Sequence, residues 1–203
     1  MNFLSIENVE FKYLQQNFQY NFELHKNQLT YLCGKNGSGK TTILNIIAGF
    51  IEPDAGKIFL DGAEITKTPA KRRNLAILFT AHNLFPRLDA FSNVMLGISK
   101  TLSKTHENLR IVNEIFEKFG IEKLSAKMPC EMSAGEKRKV EIARISIMNR
   151  KLLLLDEPLS YLDEDSARFF EQFFYDEATK NGKTILMSTH NEIRNSACKI
   201  IKI

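Results

Sequence analysis

The chain has 203 residues, of which 43% are hydrophobic and 26% charged, and it carries a net charge of +4. This is ordinary globular composition, and the length favours one domain with room for an inserted subdomain. The charge is mild and forms no basic stripe, so it does not favour nucleic acid as a partner, and no apolar run approaches the roughly 18 residues of a membrane span. Cysteines at 33, 130 and 198 are scattered, which indicates reduced thiols of a cytosolic compartment.

Residues 1–32 are predicted to be rich in β-strands. Phe3, Ile6 and Val9 alternate loosely with polar residues, and a group of aromatic residues follows between positions 11 and 22. Alternating aromatic and polar residues are typical of half-buried antiparallel strands. Most of these rings are expected in the core, but one aromatic face is free to stack on a nucleobase.

Residues 34–41, GKNGSGKT, match the phosphate-binding pattern G-x-x-x-x-G-K-[ST] at every fixed position. An apolar stretch at 28–33 precedes them and a helical pattern at 41–48 follows, which is the strand–loop–helix context that a phosphate loop needs. Glycines allow close approach of the backbone to a phosphate, and the helix start offers N–H groups and a partial positive charge. We expect Lys40 to bind the β and γ phosphates and the Thr41 hydroxyl to ligate Mg²⁺.

Short strands and turns are predicted between this helix and residue 80. Residues 52–56 and 61–62 carry turn signals around a strand at 57–60, and residues 75–79 form a buried-strand candidate. The basic run at 71–73 is expected to be a solvated loop.

Residues 89–150 are predicted to be helical. Leu109, Val112, Phe116 and Phe119 form one apolar stripe, which indicates internal packing, and Gly120 is expected to end that helix. A second helix is expected to begin at Ser133, because Glu136 three residues later completes a capping box.

The last third of the chain predicts two buried strands and a helix. The apolar run at 152–155 is typical of a parallel strand buried on both faces, and it ends in Asp156 and Glu157, which are costly there unless they have a function. Residues 163–181 predict a helix ended by Asn181-Gly182, with four phenylalanines (169, 170, 173 and 174) in the core. Residues 184–189 are expected to be the last buried strand, with His190 at its tip. This alternation predicts an α/β sheet with ligands at the strand C-terminal ends.

These motifs give the chain a resemblance to the ATP-binding cassette (ABC) ATPases over essentially its full length. Residues 34–42 (GKNGSGKTT) resemble the Walker A motif, and residues 152–158 (LLLLDEP) resemble Walker B with its glutamate. Residues 132–144 (MSAGEKRKVEIAR) resemble the signature motif, usually written LSGGQ. Residues 159–163 resemble the D-loop, and residues 188–190 (STH) resemble the switch-histidine motif. The signature is the discriminating motif, since the two Walker motifs occur in many NTPases. The resemblance implies an α/β P-loop NTPase fold of ABC type in a single domain, 1–203. It would have a mainly parallel sheet core, an N-terminal antiparallel β-subdomain, and a helical signature subdomain inserted at about 85–150.

The resemblance also implies ATP and Mg²⁺ as cofactors and a head-to-tail dimer, with each ATP between the Walker motifs of one subunit and the signature of the other. Asp156 and Thr41 would hold Mg²⁺, Glu157 would orient or deprotonate the attacking water, and His190 and Lys40 would act on the γ-phosphate. The residues implied to contact ATP are Tyr13, Gly34, Asn36, Gly37, Ser38, Gly39, Lys40, Thr41, Thr42, Ser133 and Gly135. Tyr13 matches the place of the family's adenine-stacking aromatic residue, with Phe11 and Phe18 as rivals.

The chain departs from the family pattern at positions 80, 134 and 136. Thr80 stands where the family has the Q-loop glutamine, so its expected contact with Mg²⁺ or water depends on a shorter side chain, with His82 or Asn83 as substitutes. Ala134 replaces a glycine, and Glu136 replaces a glutamine and adds a negative charge near a phosphate site. We expect these changes to slow hydrolysis without abolishing it.

The function implied is that of an ATPase subunit that powers transport through separate transmembrane permease subunits. It would be peripheral on the cytoplasmic face of the membrane, a homodimer more readily than a heterodimer, with Phe85 anchoring the permease and no nucleic acid bound. Two alternatives are a soluble ABC ATPase without a transport role and a cassette that binds ATP as a switch and hydrolyses it weakly. Cargo and direction stay open, with small export ATPases, including a haem exporter, among the candidates.

Overall fold

In a computed structural model the chain is described for residues 2–81, 83–190 and 198–203. These residues divide into two compact units. The first comprises Met1–Ile77, Arg150–Glu157 and Gln172–Ile203, and the second comprises Leu78–Asn149 and Pro158–Glu171. The Walker A and Walker B segments lie in the first unit, and the signature segment lies in the second.

The chain begins with three strands, and groups of helices and strands follow them. The strands are β1 (Asn2–Tyr13), β2 (Gln16–His25), β3 (Leu29–Cys33), β4 (Ala55–Leu60), β5 (Ala63–Glu64), β6 (Leu75–Leu78), β7 (Leu152–Asp156), β8 (Thr184–Thr189) and β9 (Lys199–Lys202). The α-helices are α1 (Lys40–Ala48), α2 (Ala90–Met95), α3 (His106–Phe119), α4 (Ala134–Ser146) and α5 (Glu164–Thr179). The predicted α/β class is confirmed.

An antiparallel sheet in the order β2-β1-β4-β5 carries the aromatic N-terminal segment. One face of it is apolar and buried, since Leu4, Ile6 and Val9 are inaccessible to solvent while the residues between them are more exposed. The loose alternation predicted for this segment is present, with Phe3 and Leu4 both buried and an irregularity in the strand register between Ile6 and Val9.

The second sheet has the order β6-β7-β8-β3-β9, with parallel pairing of β7 with β8, β8 with β3, and β3 with β9. Leu152 to Leu155 are wholly buried, as expected of a central parallel strand covered on both faces. The register pairs Asp156 with Ser188 and Cys33 with Thr189, so the C-terminal ends of β7, β8 and β3 finish at one edge of the sheet.

Helix α1 lies against β7 and joins the two sheets into one core. Ile43, Leu44, Ile46 and Ile47 of this helix are fully buried in the same apolar cluster as side chains of both sheets. Burial of such a side chain is worth about 1.5–3 kcal/mol, so this helix anchors the loop that precedes it.

The second unit is mainly helical, as predicted. Val112, Phe116 and Phe119 of α3 are buried, and Gly120 ends the helix in the left-handed conformation at φ 62°. The capping box at the start of α4 is also confirmed, because Ser133 and Glu136 exchange side chain-to-backbone hydrogen bonds. Helix α4 packs against α2. Just after α2 the approach is so close that a Cβ on Gly97 would stand 2.6 Å from the carbonyl oxygen of Arg144, so a side chain at this position would not fit.

Two expectations are wrong, and one strand was not predicted. Residues 184–189 form a buried strand as expected, but a further, mostly exposed strand, β9, follows them and pairs with β3 at the edge of the sheet. Phe169 is 44% exposed and is not a core residue, although the other three phenylalanines of α5 are buried. Arg73 is not solvated. It is 6% exposed and donates to the carbonyl oxygens of Ile46, Ile47, Thr66 and Thr68.

Candidate functional site

The loop between β3 and α1 has a backbone that side chains would obstruct. Gly37 and Gly39 adopt φ values of 80° and 94°, which favour glycine. A Cβ on Gly39 would collide with the hydroxyl of Tyr20 and the ring of Phe18, and the Tyr20 hydroxyl donates to the Gly39 carbonyl at 3.0 Å. The antiparallel sheet therefore supports the loop from one side.

Lys40 holds the loop in a closed curve. Its side chain is nearly buried, and its Nζ donates to the carbonyl oxygens of Gly34 at 2.8 Å and Lys35 at 3.0 Å. Within the curve, the Ser38 hydroxyl is buried and has no hydrogen-bond partner among the described residues. A buried donor without a partner at the start of a helix, next to a lysine ammonium, is suited to an anion.

At the C-terminal end of β7, three hydroxyl and carboxylate groups form a chain of hydrogen bonds. Asp156, 2% exposed, accepts from the Thr41 hydroxyl at 2.8 Å and from the Ser188 hydroxyl at 2.7 Å. The Ser188 hydroxyl in turn accepts from the backbone N–H of Glu157 at 2.9 Å. The parallel register of β7 and β8 produces this chain, because it places Ser188 beside Asp156.

Glu157 and His190 stand next to each other at this edge. Glu157 has φ 47°, a left-handed conformation that is strained for a residue with a side chain. Its Oε1 lies 3.2 Å from Nδ1 of His190, and the His190 side chain is about half exposed. A partly exposed carboxylate and a half-exposed imidazole beside a buried aspartate are suited to acting on a water molecule.

A pocket of about 720 Å³ opens beside the loop. It is lined by Lys35, Asn36 and Ser38 of the loop, by Thr189 and His190, and by Lys202 of β9. The Cys33 thiol also lines it, and burial raises the pKa of that thiol, with Lys40 and Lys202 opposing the shift. A thiol with a raised pKa is a poor nucleophile, so Cys33 packs rather than reacts.

The residues present fit a magnesium ion. The Thr41 hydroxyl and the Asp156 carboxylate are hard oxygen ligands 2.8 Å apart. No group of three or more His, Cys, Asp or Glu side chains among residues 2–81, 83–190 and 198–203 could hold a metal. The Thr41 and Asp156 oxygens suit Mg²⁺, which keeps water molecules and is bound by one or two protein oxygens together with substrate phosphates.

Tyr13 differs from its two aromatic rivals in exposure. Its ring is 61% exposed, whereas Phe11 and Phe18 pack against the apolar core. Of the three, Tyr13 is the one with a face available for a base, which remains a prediction.

The signature segment lies in the second unit, at the start of α4. Ser133 is exposed, and Gly135 approaches the Tyr161 carbonyl so closely that a Cβ would stand 2.9 Å from that oxygen. The Glu136 carboxylate accepts from the Ser133 N–H at 2.8 Å and from Lys127 Nζ at 3.0 Å, and these bonds lower the pKa of Glu136. The negative charge noted in the sequence is therefore compensated locally by Lys127.

Thr80 also lies in the second unit, on the loop that follows β6. Its carbonyl oxygen accepts from Arg138 Nη2 at 2.6 Å. Asn83, one of the two possible substitutes for a Q-loop glutamine, uses its amide to bind both backbone groups of Phe79. His82, the other substitute, lies outside the described residues.

The motif positions were accessible to sequence analysis, but two sets of contacts at these segments were missed. The contact of Ser188 with Asp156 depends on the register between β7 and β8. Parallel pairing of the two apolar runs, 152–155 and 184–189, is the sequence signal that could have predicted it. The loop contacts of Arg138 join residues 58 and 59 positions apart, and nothing in the local pattern indicates them.

Comparisons with known proteins agree with this geometry. A sequence profile described as "ABC transporter" matches residues 18–160. A thiamine import ATP-binding protein of Jannaschia sp. (strain CCS1) is 35% identical over 188 residues, which cover 93% of this chain and 82% of that protein. A molybdate/tungstate import ATP-binding protein of Pyrococcus abyssi (strain GE5 / Orsay) is 37% identical over 171 residues, 83% of this chain and 50% of that protein.

Solved structures share the fold. A nucleotide-free ATP-binding cassette from an ABC transporter superposes with a TM-score of 0.78 at 23% identity, covering 94% of this chain and 82% of that one. A cassette in a dimeric post-hydrolysis state, bound to ADP and Pi, superposes with a TM-score of 0.80 at 24% identity, covering 93% of this chain and 88% of that one.

Proposed function

Because this chain belongs to the ABC transporter family, as an ATP-binding subunit that hydrolyses ATP to power transport, we propose that Mg-ATP binds on residues 34–42 and is hydrolysed at Glu157. The observation that carries the proposal is the chain of hydrogen bonds from Thr41 through Asp156 and Ser188 to Glu157. It joins the phosphate loop to the residue that would act on water.

The loop residues bind the phosphates of ATP. Lys40 exchanges its two carbonyl partners for β and γ phosphate oxygens, and the buried Ser38 hydroxyl gains the partner that it lacks. Backbone N–H groups of the loop and of the first turn of α1, from Gly37 to Thr42, complete the cradle. Gly34 and Asn36 shape its entrance, and Tyr13 stacks on the adenine.

Glu157 accepts the proton of the attacking water or orients that water. The hydrogen bond from its N–H to Ser188 and its left-handed backbone fix the direction of its carboxylate. His190, 3.2 Å away, donates toward the γ-phosphate and holds the carboxylate in place. Magnesium, held by Thr41 and Asp156, would neutralise charge that develops on the phosphate oxygens. Thr80 as a further metal-side contact remains a prediction from the sequence.

A second copy of the chain completes the site. Ser133 is exposed at the start of α4, and Gly135 adds no side chain to the first turn, which the Tyr161 carbonyl approaches closely. The ion pair between Lys127 and Glu136 offsets the carboxylate that would otherwise repel a γ-phosphate. We therefore favour a head-to-tail homodimer in which each signature serves the ATP of the other copy.

Separate permease subunits are the proposed membrane partners, with this chain on the cytoplasmic face. Among the described residues, no helix has both the length and the apolar character to cross a membrane. Phe85 is 54% exposed, and Arg144 holds its ring by a cation–π contact at 5.6 Å. A rigid exposed aromatic side chain of this kind is a typical interface anchor.

Import of a small solute is the direction that the comparisons favour. The relatives reported above are named as import ATP-binding proteins for thiamine and for molybdate or tungstate. This supports an importer over the export subunits that the sequence left open.

The test is steady-state ATP hydrolysis of the purified chain against Glu157→Gln. We expect the variant to lose about 100-fold or more in kcat while KM for ATP changes little. Glu114→Gln, an exposed carboxylate on α3, is the matched control and should hydrolyse ATP like the wild type. Wild-type hydrolysis no faster than that of Glu157→Gln would instead support a switch that binds ATP without turnover.

A further inference from the structure

A row of charged side chains on α4 faces the loop that follows β6. Arg138, Glu141 and Arg144 lie one turn apart, and Arg138 and Glu141 are 2% and 7% exposed. Arg138 Nη1 lies 3.0 Å from Glu141 Oε2. The signature Ser133 begins the same helix, so the row continues directly from the signature segment.

Arg138 holds two other motif segments. Its Nη1 donates to the Phe79 carbonyl at 3.1 Å and its Nη2 to the Thr80 carbonyl at 2.6 Å. Its guanidinium also lies over the ring of Tyr161, 6.0 Å from the centroid, in the segment that resembles the D-loop. One side chain thus contacts the Thr80 loop and the Tyr161 segment from the signature helix.

Glu141 and Arg144 support the same loop. Burial raises the pKa of the Glu141 carboxyl, and the charge of Arg138 opposes that shift. Arg144 donates to the carbonyl of Asn83 and lies over the ring of Phe85. The loop from Phe79 to Phe85 is therefore bound to α4 at three backbone carbonyls and one ring.

Stability alone does not account for this arrangement. A buried ion pair pays a desolvation cost that often exceeds its attraction, and a well-packed apolar pair usually serves a fold as well. The Arg138 Nε is also buried without a hydrogen-bond partner among the described residues, which is a further cost. Unlike an apolar side chain, the planar guanidinium of Arg138 holds two carbonyl oxygens at once.

We propose that Arg138, oriented by Glu141, is a positioning residue for ATP hydrolysis that fixes the Thr80 backbone and the Tyr161 ring against the signature helix. This inference rests on the proposed function. It assigns Arg138 no contact with ATP. Thr80 stands where the family has a glutamine, and its side chain is shorter. A short side chain reaches its target only if its backbone is held accurately, so the position of the Thr80 backbone, which Arg138 fixes, matters more in this chain.

Arg138→Lys is the first test, because it keeps the charge that Glu141 needs but replaces the fork with a single ammonium. We expect kcat for ATP hydrolysis to fall about tenfold while KM and the thermal midpoint stay close to wild type, since small misplacements of reacting groups cost rate rather than binding. Arg110→Lys, in the exposed pair with Glu114 on α3, is the control and should change neither kcat nor KM.

The neutral double variant Arg138→Gln/Glu141→Gln covers the possibility that the ion pair matters only for folding. It removes the charges of Arg138 and Glu141 together, so neither is left without the other, and Arg144 loses only its charge interaction with Glu141. The proposal expects it to share the kcat loss of Arg138→Lys. A wild-type kcat in either folded variant overturns the proposal, and if the double variant does not fold, Arg138→Lys alone decides.

A double-mutant cycle with Thr80→Ala tests whether Arg138 affects hydrolysis by positioning Thr80. If Arg138 acts by placing Thr80, Thr80→Ala lowers kcat and Arg138→Lys adds no further loss in that background. Additive losses, or a Thr80→Ala variant with wild-type kcat, overturn the proposal. The wild type and Glu157→Gln are run in parallel, because failure of the proposed function appears as equal rates for those two, whereas failure of this inference leaves the wild type active.

Discussion

Replacement of Ser188 by alanine tests the arrangement of the acidic end of the site. Ser188 is wholly buried, and its hydroxyl donates to Asp156 at 2.7 Å while it accepts from the Glu157 N–H at 2.9 Å. Alanine deletes both bonds, the one to the buried Asp156 carboxylate and the one from the Glu157 N–H. The substitution therefore perturbs Asp156 and Glu157 without touching the phosphate loop.

The expected cost follows from the two bonds. A hydrogen bond to a charged carboxylate is worth about 1.5–3 kcal/mol, and a neutral one about 0.5–1.5 kcal/mol. Together they predict a loss of about 2–4.5 kcal/mol in the free energy of unfolding. Since Glu157 has a strained backbone that this bond holds, we also expect kcat to fall about tenfold or more with little change in KM for ATP.

The assay is urea unfolding followed by far-UV circular dichroism, with steady-state ATP hydrolysis on the same preparations. Thr30→Val is the matched control, because Thr30 is a wholly buried hydroxyl residue of β3 whose Oγ1 has no partner among the described residues. Removing an unsatisfied hydroxyl should raise stability by about 1 kcal/mol. A Ser188→Ala protein that loses less than about 1 kcal/mol and keeps its kcat would refute the reasoning.

Further substitutions test other parts of the account. Gly39→Ala should abolish ATP binding in a fluorescent-nucleotide titration, because the added Cβ would collide with Tyr20 and Phe18. Gly62→Ala is the control and should bind ATP normally, because Gly62 also has a positive φ, 82°, but has open space around it. Equal ATP binding by the two variants would contradict this prediction. Arg73→Met should lower the free energy of unfolding by about 3 kcal/mol, because four carbonyl oxygens lose their donor, while exposed Arg72→Met should change it little. Similar urea midpoints for the two arginine variants would argue against the buried role. Phe85→Ala should leave the thermal midpoint nearly unchanged and reduce co-purification with membrane subunits, and undiminished assembly would remove Phe85 as the anchor.

Much of the fold was predictable because its signals are local. The alternation in β1 and β2, the apolar run of β7 and the glycine loop before α1 each specify their own element, and the structure has all of them. The capping box at Ser133 is equally local, since its partners are three residues apart.

The misses share a physical cause, which is pairing between residues far apart in sequence. Arg73 looks like a solvated basic residue until the end of α1 offers it carbonyl oxygens. Strand β9 is four residues long and is defined by its pairing with β3, some 170 positions earlier. The buried charge of Arg138 likewise depends on a loop and a segment that the sequence does not place beside it.

The proposed composite site is tested most directly by the mass of Glu157→Gln in solution, measured by light scattering with and without Mg-ATP. The account predicts a monomer without nucleotide and a dimer with Mg-ATP, because slow hydrolysis preserves the ATP that joins the loop of one copy to the signature of the other. Ser133→Arg in the same background, which blocks the start of α4, should bind ATP and stay monomeric. A Glu157→Gln protein that binds Mg-ATP and remains a monomer would contradict the claim that this signature completes this phosphate loop.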